Sequence, residues 1–83
     1  MAKKTTVYWI SGQAQLVALA SPVRQEIVDV VSAIGPCSIE RIAQALGWRA
    51  DRLYFHVRRL VRVGLLVQRG ISGHGRNAAA IYD

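Results

Sequence analysis

Residues 38–66 read SIERIAQALGWRADRLYFHVRRLVRVGLL. Apolar residues recur there every three or four positions in two runs, a spacing that predicts two amphipathic helices. The first run is Ile39, Ile42, Ala43 and Leu46, and the second is Leu53, Val57, Leu60 and Val61. Ser38 is a suitable N-cap for the first helix, and Gly47 ends it because glycine readily takes the left-handed C-cap conformation. The short connection between the two helices leaves no room for a strand, so residues 38–64 are predicted to form a helix-turn-helix.

Two further helices are predicted upstream of this segment. Ser21-Pro22 combines an N-cap residue with a proline at the first helical position, and Gly35-Pro36 stops the helix that follows. Its expected inner face is Val23, Ile27, Val30, Val31 and Ile34. A shorter helix is expected from a Ser11 cap through Leu19.

Downstream of Gly64 the pattern changes from helical to strand-like. Residues 65–69 and 78–82 are predicted strands, joined by the glycine-rich loop 70–77. The predicted fold class is therefore mainly α with a small β-hairpin (α+β), a winged helix-turn-helix. We expect one domain over residues 1–83, with an N-terminal extension at 1–10, the helix-turn-helix at 38–64 and the wing at 65–82.

The composition favours a cytoplasmic protein that binds a polyanion. The chain has 83 residues, a net charge of +6 and one cysteine, and we find no apolar stretch of the length that a membrane span needs. The charge is concentrated in residues 49–76, where seven arginines face one acid, although a solvated basic surface would look the same. We see no paired nucleophile and base, so no enzyme is expected, and we expect no cofactor.

Three stretches resemble the ArsR-like family of regulators: ALASPVRQEIVDVV (18–31), SIERIAQALGW (38–48) and LYFHVRRLVRVGLL (53–66). The resemblance implies a transcriptional regulator that binds double-stranded DNA as a homodimer, with its wing at the minor groove. Metal-sensing members carry a Cys-x-Cys pair where residues 39–46 stand here, and this chain has none. No metal site is therefore expected. The family's dimerising helix after the wing is also missing from the sequence, which leaves the N-terminal half to pair two subunits.

The predicted DNA-binding residues fall into three groups. Around the start of a recognition helix at about residues 50–63, five side chains are assigned to the floor and rim of the major groove. Further along, outward arginines are assigned to phosphate, and the loop 70–77 is assigned to the minor groove. The three groups are Arg49, Asp51, Arg52, Tyr54 and Phe55; then Arg58, Arg59 and Arg62; and finally His74 and Arg76.

Several alternatives remain open from the sequence. The apolar residues Val7, Tyr8, Trp9 and Ile10, with Leu16 and Leu19, form a dimer interface or cover this domain's own core. His56 is interpreted as a half-buried histidine that bonds to backbone, against a phosphate contact or a metal ligand. Cys37 is interpreted as a small buried hydrophobe, against a redox sensor. The alternative function is a winged-helix protein–protein interaction module in a transcription or replication assembly.

Overall fold

The computed structural model describes residues 12–73 and 79–83, in which four helices precede a two-stranded antiparallel hairpin. This order confirms the predicted winged helix-turn-helix class. The elements are α1 (Gln13–Ala18), α2 (Pro22–Ile34), α3 (Ile39–Leu46), a 3₁₀ turn (Ala50–Arg52), α4 (Tyr54–Arg62), β1 (Gln68–Ser72) and β2 (Ala79–Tyr82). None of the helices in the described part of the chain is long and apolar enough to cross a membrane.

The predicted ends of α2 are confirmed, and its inner face is broader than predicted. The Arg24 backbone N–H donates to Ser21 Oγ (3.4 Å), and Pro22 is the first helical residue. Ile27, Val28 and Val31 are buried, although the spacing had not included Val28. α2 packs against both α3 and α4, so a broader stripe is covered than one neighbour would cover. Ile34 ends the helix and stays 40% exposed, which corrects the prediction that it faces the core.

α3 begins and ends where its sequence predicts. The Arg41 backbone N–H donates to Ser38 Oγ (3.2 Å), so the serine satisfies one of the free donors of the first turn. Gly47 follows the last residue with φ of 71° and ψ of 29°, a left-handed conformation that residues with a Cβ rarely adopt. Ile39, Ile42 and Ala43 are buried.

The predicted recognition helix is interrupted near its start. Ala50–Arg52 form a 3₁₀ turn, with the N–H of Leu53 donating to Ala50 O (2.9 Å), and α4 proper begins at Tyr54. Such tightened turns are common at helix ends, and this one leads directly into Leu53, which is fully buried. The single helix expected over residues 50–63 is therefore two short helical segments with a shared core-facing side.

The first strand lies three residues later than predicted. Leu65 and Leu66 donate their N–H groups to Leu60 O, so they belong to the turn that closes α4, and Leu66 is buried. The ladder opens with two 2.9 Å hydrogen bonds between Val67 and Asp83, and β1 continues through Ser72. Residues 70–72, predicted as loop, are paired strand. A register shift between Gln68 and Gly70 leaves Arg69 without an opposite residue.

One core joins α2, α3, α4 and the segments that connect them, and Tyr82 of β2 packs against it. β2 is attached to it by two backbone hydrogen bonds between Tyr82 and Cys37, at 2.8 and 2.9 Å. α1 is attached through Gln15, whose Nε2 donates to Val63 O at 2.7 Å. The N-cap position of α1 is Gly12 rather than Ser11, which lies outside the described residues. The buried hydrophobic residues are Ala18, Leu19, Ile27, Val28, Val31, Cys37, Ile39, Ile42, Ala43, Leu53, Val57, Leu60 and Leu66.

Candidate nucleic-acid interface

α4 has two sharply different faces. Val57 and Leu60 are fully buried on its inner face. On the outer face Phe55 is 66% exposed, and Arg58 and Arg62 are exposed as well. The outward orientation predicted from the helical period is confirmed, because the inner apolar stripe fixes the rotation of the helix about its axis.

The outer face holds a shallow depression of about 480 Å³. Its lining combines three cationic side chains, two aromatic rings and one carboxylate. They come from the 3₁₀ turn and from α4, so the depression runs along the helix from its N-terminal end. The lining residues are Asp51, Tyr54, Phe55, Arg58, Arg59 and Arg62, all of them in the predicted DNA-binding set.

The arginines of this depression are not neutralised within the described part of the chain. No carboxylate there lies within salt-bridge distance of Arg58, Arg59 or Arg62. Unpaired guanidinium groups on one helix face produce a positive potential and offer forked donors that match phosphate oxygens. The surface is thus electrostatically suited to a polyanion.

Arg49 and Asp51 form an exposed ion pair next to the depression, and Asp51 is one of its lining residues. Arg49 Nη2 lies 3.1 Å from Asp51 Oδ2, and both side chains are largely exposed. An exposed pair of this kind contributes little to stability, about 0–1 kcal/mol. Its structural consequence is local, because it holds a carboxylate acceptor beside an otherwise cationic face. Arg52, the last residue of the 3₁₀ turn, is also exposed.

Tyr54 joins α4 to α3 through an acid that the sequence analysis had not singled out. Its hydroxyl donates to Glu40 Oε2 at 3.4 Å, and the charge of Glu40 raises the pKa of Tyr54, with burial and the hydrogen bond adding to the effect. The phenol therefore stays protonated and remains a donor. The only sequence signal for Glu40 was its place in the first turn of α3, which favours an acid in any helix.

His56 is half-buried, as predicted, but its partner is a side chain and not backbone. Arg24 Nη1 lies 3.1 Å from His56 Nδ1, and Arg24 Nε donates to Ala18 O at 2.6 Å. Burial lowers the pKa of His56, and the charge of Arg24 lowers it further, so the neutral imidazole accepts from the guanidinium. This chain of contacts joins α4, α2 and the end of α1. Arg24 was missed because its partner is far away in sequence.

The described part of the hairpin presents mostly exposed side chains. All five residues of β1 are exposed, and Ile71 is 68% exposed. Arg69 Nε lies 3.1 Å from Asp83 Oδ2, in the position where the register shift frees it from cross-strand pairing. The predicted minor-groove residues His74 and Arg76 lie outside the described residues.

The predicted dimer residues divide into separate groups. Leu19 is 6% exposed and packs into this domain's own core, so it has almost no surface for a partner. Leu16 is 58% exposed, and its neighbour Val17 is 49% exposed. Residues 7–10, the remaining members (Val7, Tyr8, Trp9 and Ile10), lie outside the described residues.

Cys37 is buried, and it exchanges backbone hydrogen bonds with Tyr82. Burial raises the pKa of its thiol, although Arg41 lowers it and Asp83 adds to the rise. A raised pKa opposes the redox-sensor interpretation, which requires a thiolate. Within residues 12–73 and 79–83, no three His, Cys, Asp or Glu side chains are grouped so as to hold a metal ion.

Comparison with known proteins gives one family. The family model described as a helix-turn-helix domain matches residues 19–69, from the end of α1 into β1. The matched segment contains the whole of α2, α3 and α4, together with the arginine-lined depression. A comparison with curated proteins finds no match for this chain.

Proposed function

This chain belongs to the helix-turn-helix domain family, and we propose that it is a sequence-specific, double-stranded DNA-binding transcriptional regulator of the cytoplasm. The observation that carries the proposal is the depression on α4, where three unpaired arginines surround two exposed aromatic rings. Solvation of a basic surface does not account for exposed aromatic rings among its arginines. A major groove, in contrast, offers phosphates on its walls and base edges on its floor.

In the proposed complex, residues 50–63 lie in the major groove and the wing, residues 70–77, lies at the minor groove. Arg49, Asp51, Arg52, Tyr54 and Phe55 are near the helix start, the end that reads base edges in helix-turn-helix proteins. Arg58, Arg59 and Arg62 follow along the helix and contact phosphate. His74 and Arg76 contribute from the wing, where arginine gains from the negative potential of a narrow groove.

We further propose that the protein is ArsR-like and acts as a homodimer. Two copies would place two recognition helices about 34 Å apart, one turn of duplex, and double an interface that is small for one module. Leu16 and Val17 supply exposed apolar surface on α1, and the sequence adds the apolar residues 7–10, which lie outside the described residues. Leu19 is left out of this interface because it is buried in the domain's own core.

The test of DNA binding is its salt dependence, measured by gel retardation on duplexes selected from a random 30-base-pair library. A dimer that makes about 8 phosphate contacts should give a slope of log K against log salt near −7. Arg62→Ala removes one phosphate contact from each subunit and should flatten the slope by roughly two units, whereas Arg62→Lys, which keeps the charge, should not. A slope shallower than about −2, or no retention at low salt, would contradict DNA binding and favour the protein-contact function.

The test of pairing is sedimentation of the free protein and of its Leu16→Ser and Val17→Ser double variant. We expect the unaltered chain to dissociate on dilution and the variant to be a folded monomer with much weaker binding to a palindromic duplex. An unaltered chain that stays monomeric at high concentration, and still protects a single half-site, would rule out the dimer and leave DNA binding intact.

A further inference from the structure

Phe55 is the most exposed aromatic side chain in the described part of the molecule, at 66%. It is the second residue of α4 and lies in the depression, with Asp51 on one side and Arg58 one turn further on. Exposing an apolar ring to water is unfavourable, and the cost is recovered when the ring meets another apolar group. An apolar ring inside a cationic rim therefore indicates a partner that is anionic at its edges and apolar at its centre.

The ring is not free to take any orientation. His56 contacts it edge to face, with 5.6 Å between ring centroids and 72° between planes. His56 is in turn bonded to Arg24, and Arg24 to the carbonyl of Ala18. The neighbour of the ring is thus fixed to the body of the domain, which lowers the entropy cost of presenting the ring to a ligand.

In the DNA complex proposed above, the ring lies at the end of the helix that faces the base edges. Arg58 and Arg62 lie about 4.5 and 10.5 Å further along the axis at 1.5 Å per residue, on the same outer face. On the major-groove edge of the bases, the C5 methyl of thymine is the apolar group. In this arrangement the arginines contact phosphate, and the ring faces the floor of the groove.

We infer that Phe55 is a specificity-determining residue that recognises thymine through its C5 methyl group. The inference rests on the proposed DNA-binding function and adds to it the kind of base that the recognition helix selects. The shape of the interaction is a methyl group packed on the face of a phenyl ring inside the arginine rim. A deoxyribose contact is the competing outcome, and it would not depend on the methyl.

The experiment compares thymine with deoxyuridine, which lacks only that methyl. The best duplex from the selection is synthesised with thymine or with deoxyuridine at every T position, and dissociation constants are measured for both. We expect the uracil duplex to bind about fourfold more weakly for each methyl contacted, since burying one such carbon is worth about 0.8 kcal/mol. Two symmetric contacts would give about fifteenfold.

The Phe55→Ala variant should bind the two duplexes equally. Ile34→Ala, which shortens an exposed apolar residue at the end of α2 and outside every proposed DNA contact, should keep the full thymine preference. Thermal unfolding of Phe55→Ala should lower the midpoint by no more than about 4–8 °C, since an exposed ring loses a single edge-to-face contact with His56. A larger fall, of the kind expected for a buried core side chain, would show that the ring mainly packs within its own chain and would overturn the inference.

Two other results would also overturn it. Specific binding with equal affinity for the thymine and uracil duplexes would remove the methyl contact while leaving DNA binding established. A thymine preference that survives in Phe55→Ala would assign the methyl to another residue. Failure to bind any duplex at low salt is a different result, because it removes the proposed function itself.

Discussion

α4 and the hairpin are both proposed to contact DNA, yet they are held in the molecule in different ways. α4 has an inner face in which Val57 and Leu60 are fully buried, and an outer face of arginine and aromatic residues. β1 has no buried residue and is held mainly by its ladder to β2. One helix can therefore serve stability and binding with separate side chains, whereas β1 contributes no buried side chain to the core.

The largest expected effect separates the two regions by stability. Leu60→Ala removes a fully buried side chain at the centre of the core and should lower the free energy of unfolding by about 2–5 kcal/mol. Ile71→Ala on β1, where the side chain is 68% exposed, should change it by no more than about 0.5 kcal/mol. Urea unfolding followed by circular dichroism measures both. Equal losses would mean that the hairpin is part of the same cooperative core.

A smaller effect should come from the contact that joins α4 to α2. The pKa of His56 is lowered in the folded state, so below its unfolded value of about 6.5 the unfolded chain binds the proton more readily. The contribution of His56 to the free energy of unfolding should therefore be fully present above pH 6.5. It should decline as the pH falls from there through the pKa of His56 in the folded state. Unfolding curves at pH 7.5 and 5.5 measure the decline.

The control for this prediction is His56→Gln, which keeps a polar side chain without a titrating imidazole. It should lose the pH dependence in that interval, because acidic side chains of ordinary pKa titrate lower. An equal decline in the variant would attribute the effect to another group. The chain's other histidine, His74, lies outside the described residues, so it is the His56→Gln variant that assigns the pH dependence to the α2–α4 contact.

The smallest effect is expected from the ion pair of the hairpin. Arg69 and Asp83 are 3.1 Å apart with side chains 61% and 35% exposed, and such pairs contribute less than about 1 kcal/mol. Arg69→Ala should therefore leave the unfolding midpoint nearly unchanged at low salt and unchanged at 1 M salt, where the pair is screened. A loss similar to that of Leu60→Ala would show that the hairpin is held by this pair.

Sequence reasoning located the outer surface of α4 but not the contacts that fix it. The exposed positions of Phe55, Arg58 and Arg62 follow from the helical period, because the buried residues on the other face determine the rotation. Glu40 and Arg24 were missed as partners of Tyr54 and His56. Their partners are 14 and 32 residues away, and no local pattern predicts such a pairing.

The sequence predicted a hairpin correctly but placed its first strand three residues too early, for a related reason. Leu65 and Leu66 have the composition of a strand, but their N–H groups are taken by Leu60 O at the end of α4. A residue can enter the ladder only if its N–H group is not already bonded to a carbonyl of the preceding helix. Packing decides at which residue those bonds to the helix end. Leu16 and Leu19 are similar: both are leucines of the α1 segment, and only the fold shows that one is exposed and the other buried.

By itself, the sequence determined the ends of α2 and α3 and the charge of the outer face. These depend on caps, glycine conformations and apolar spacing, which act over a few residues. Only the tertiary structure decided the start of β1, the attachment of β2 to Cys37 and the Arg24–His56 contact. The last two are pairings between segments far apart in sequence, and all three depend on how the helices pack around one core, because buried polar groups must find partners there.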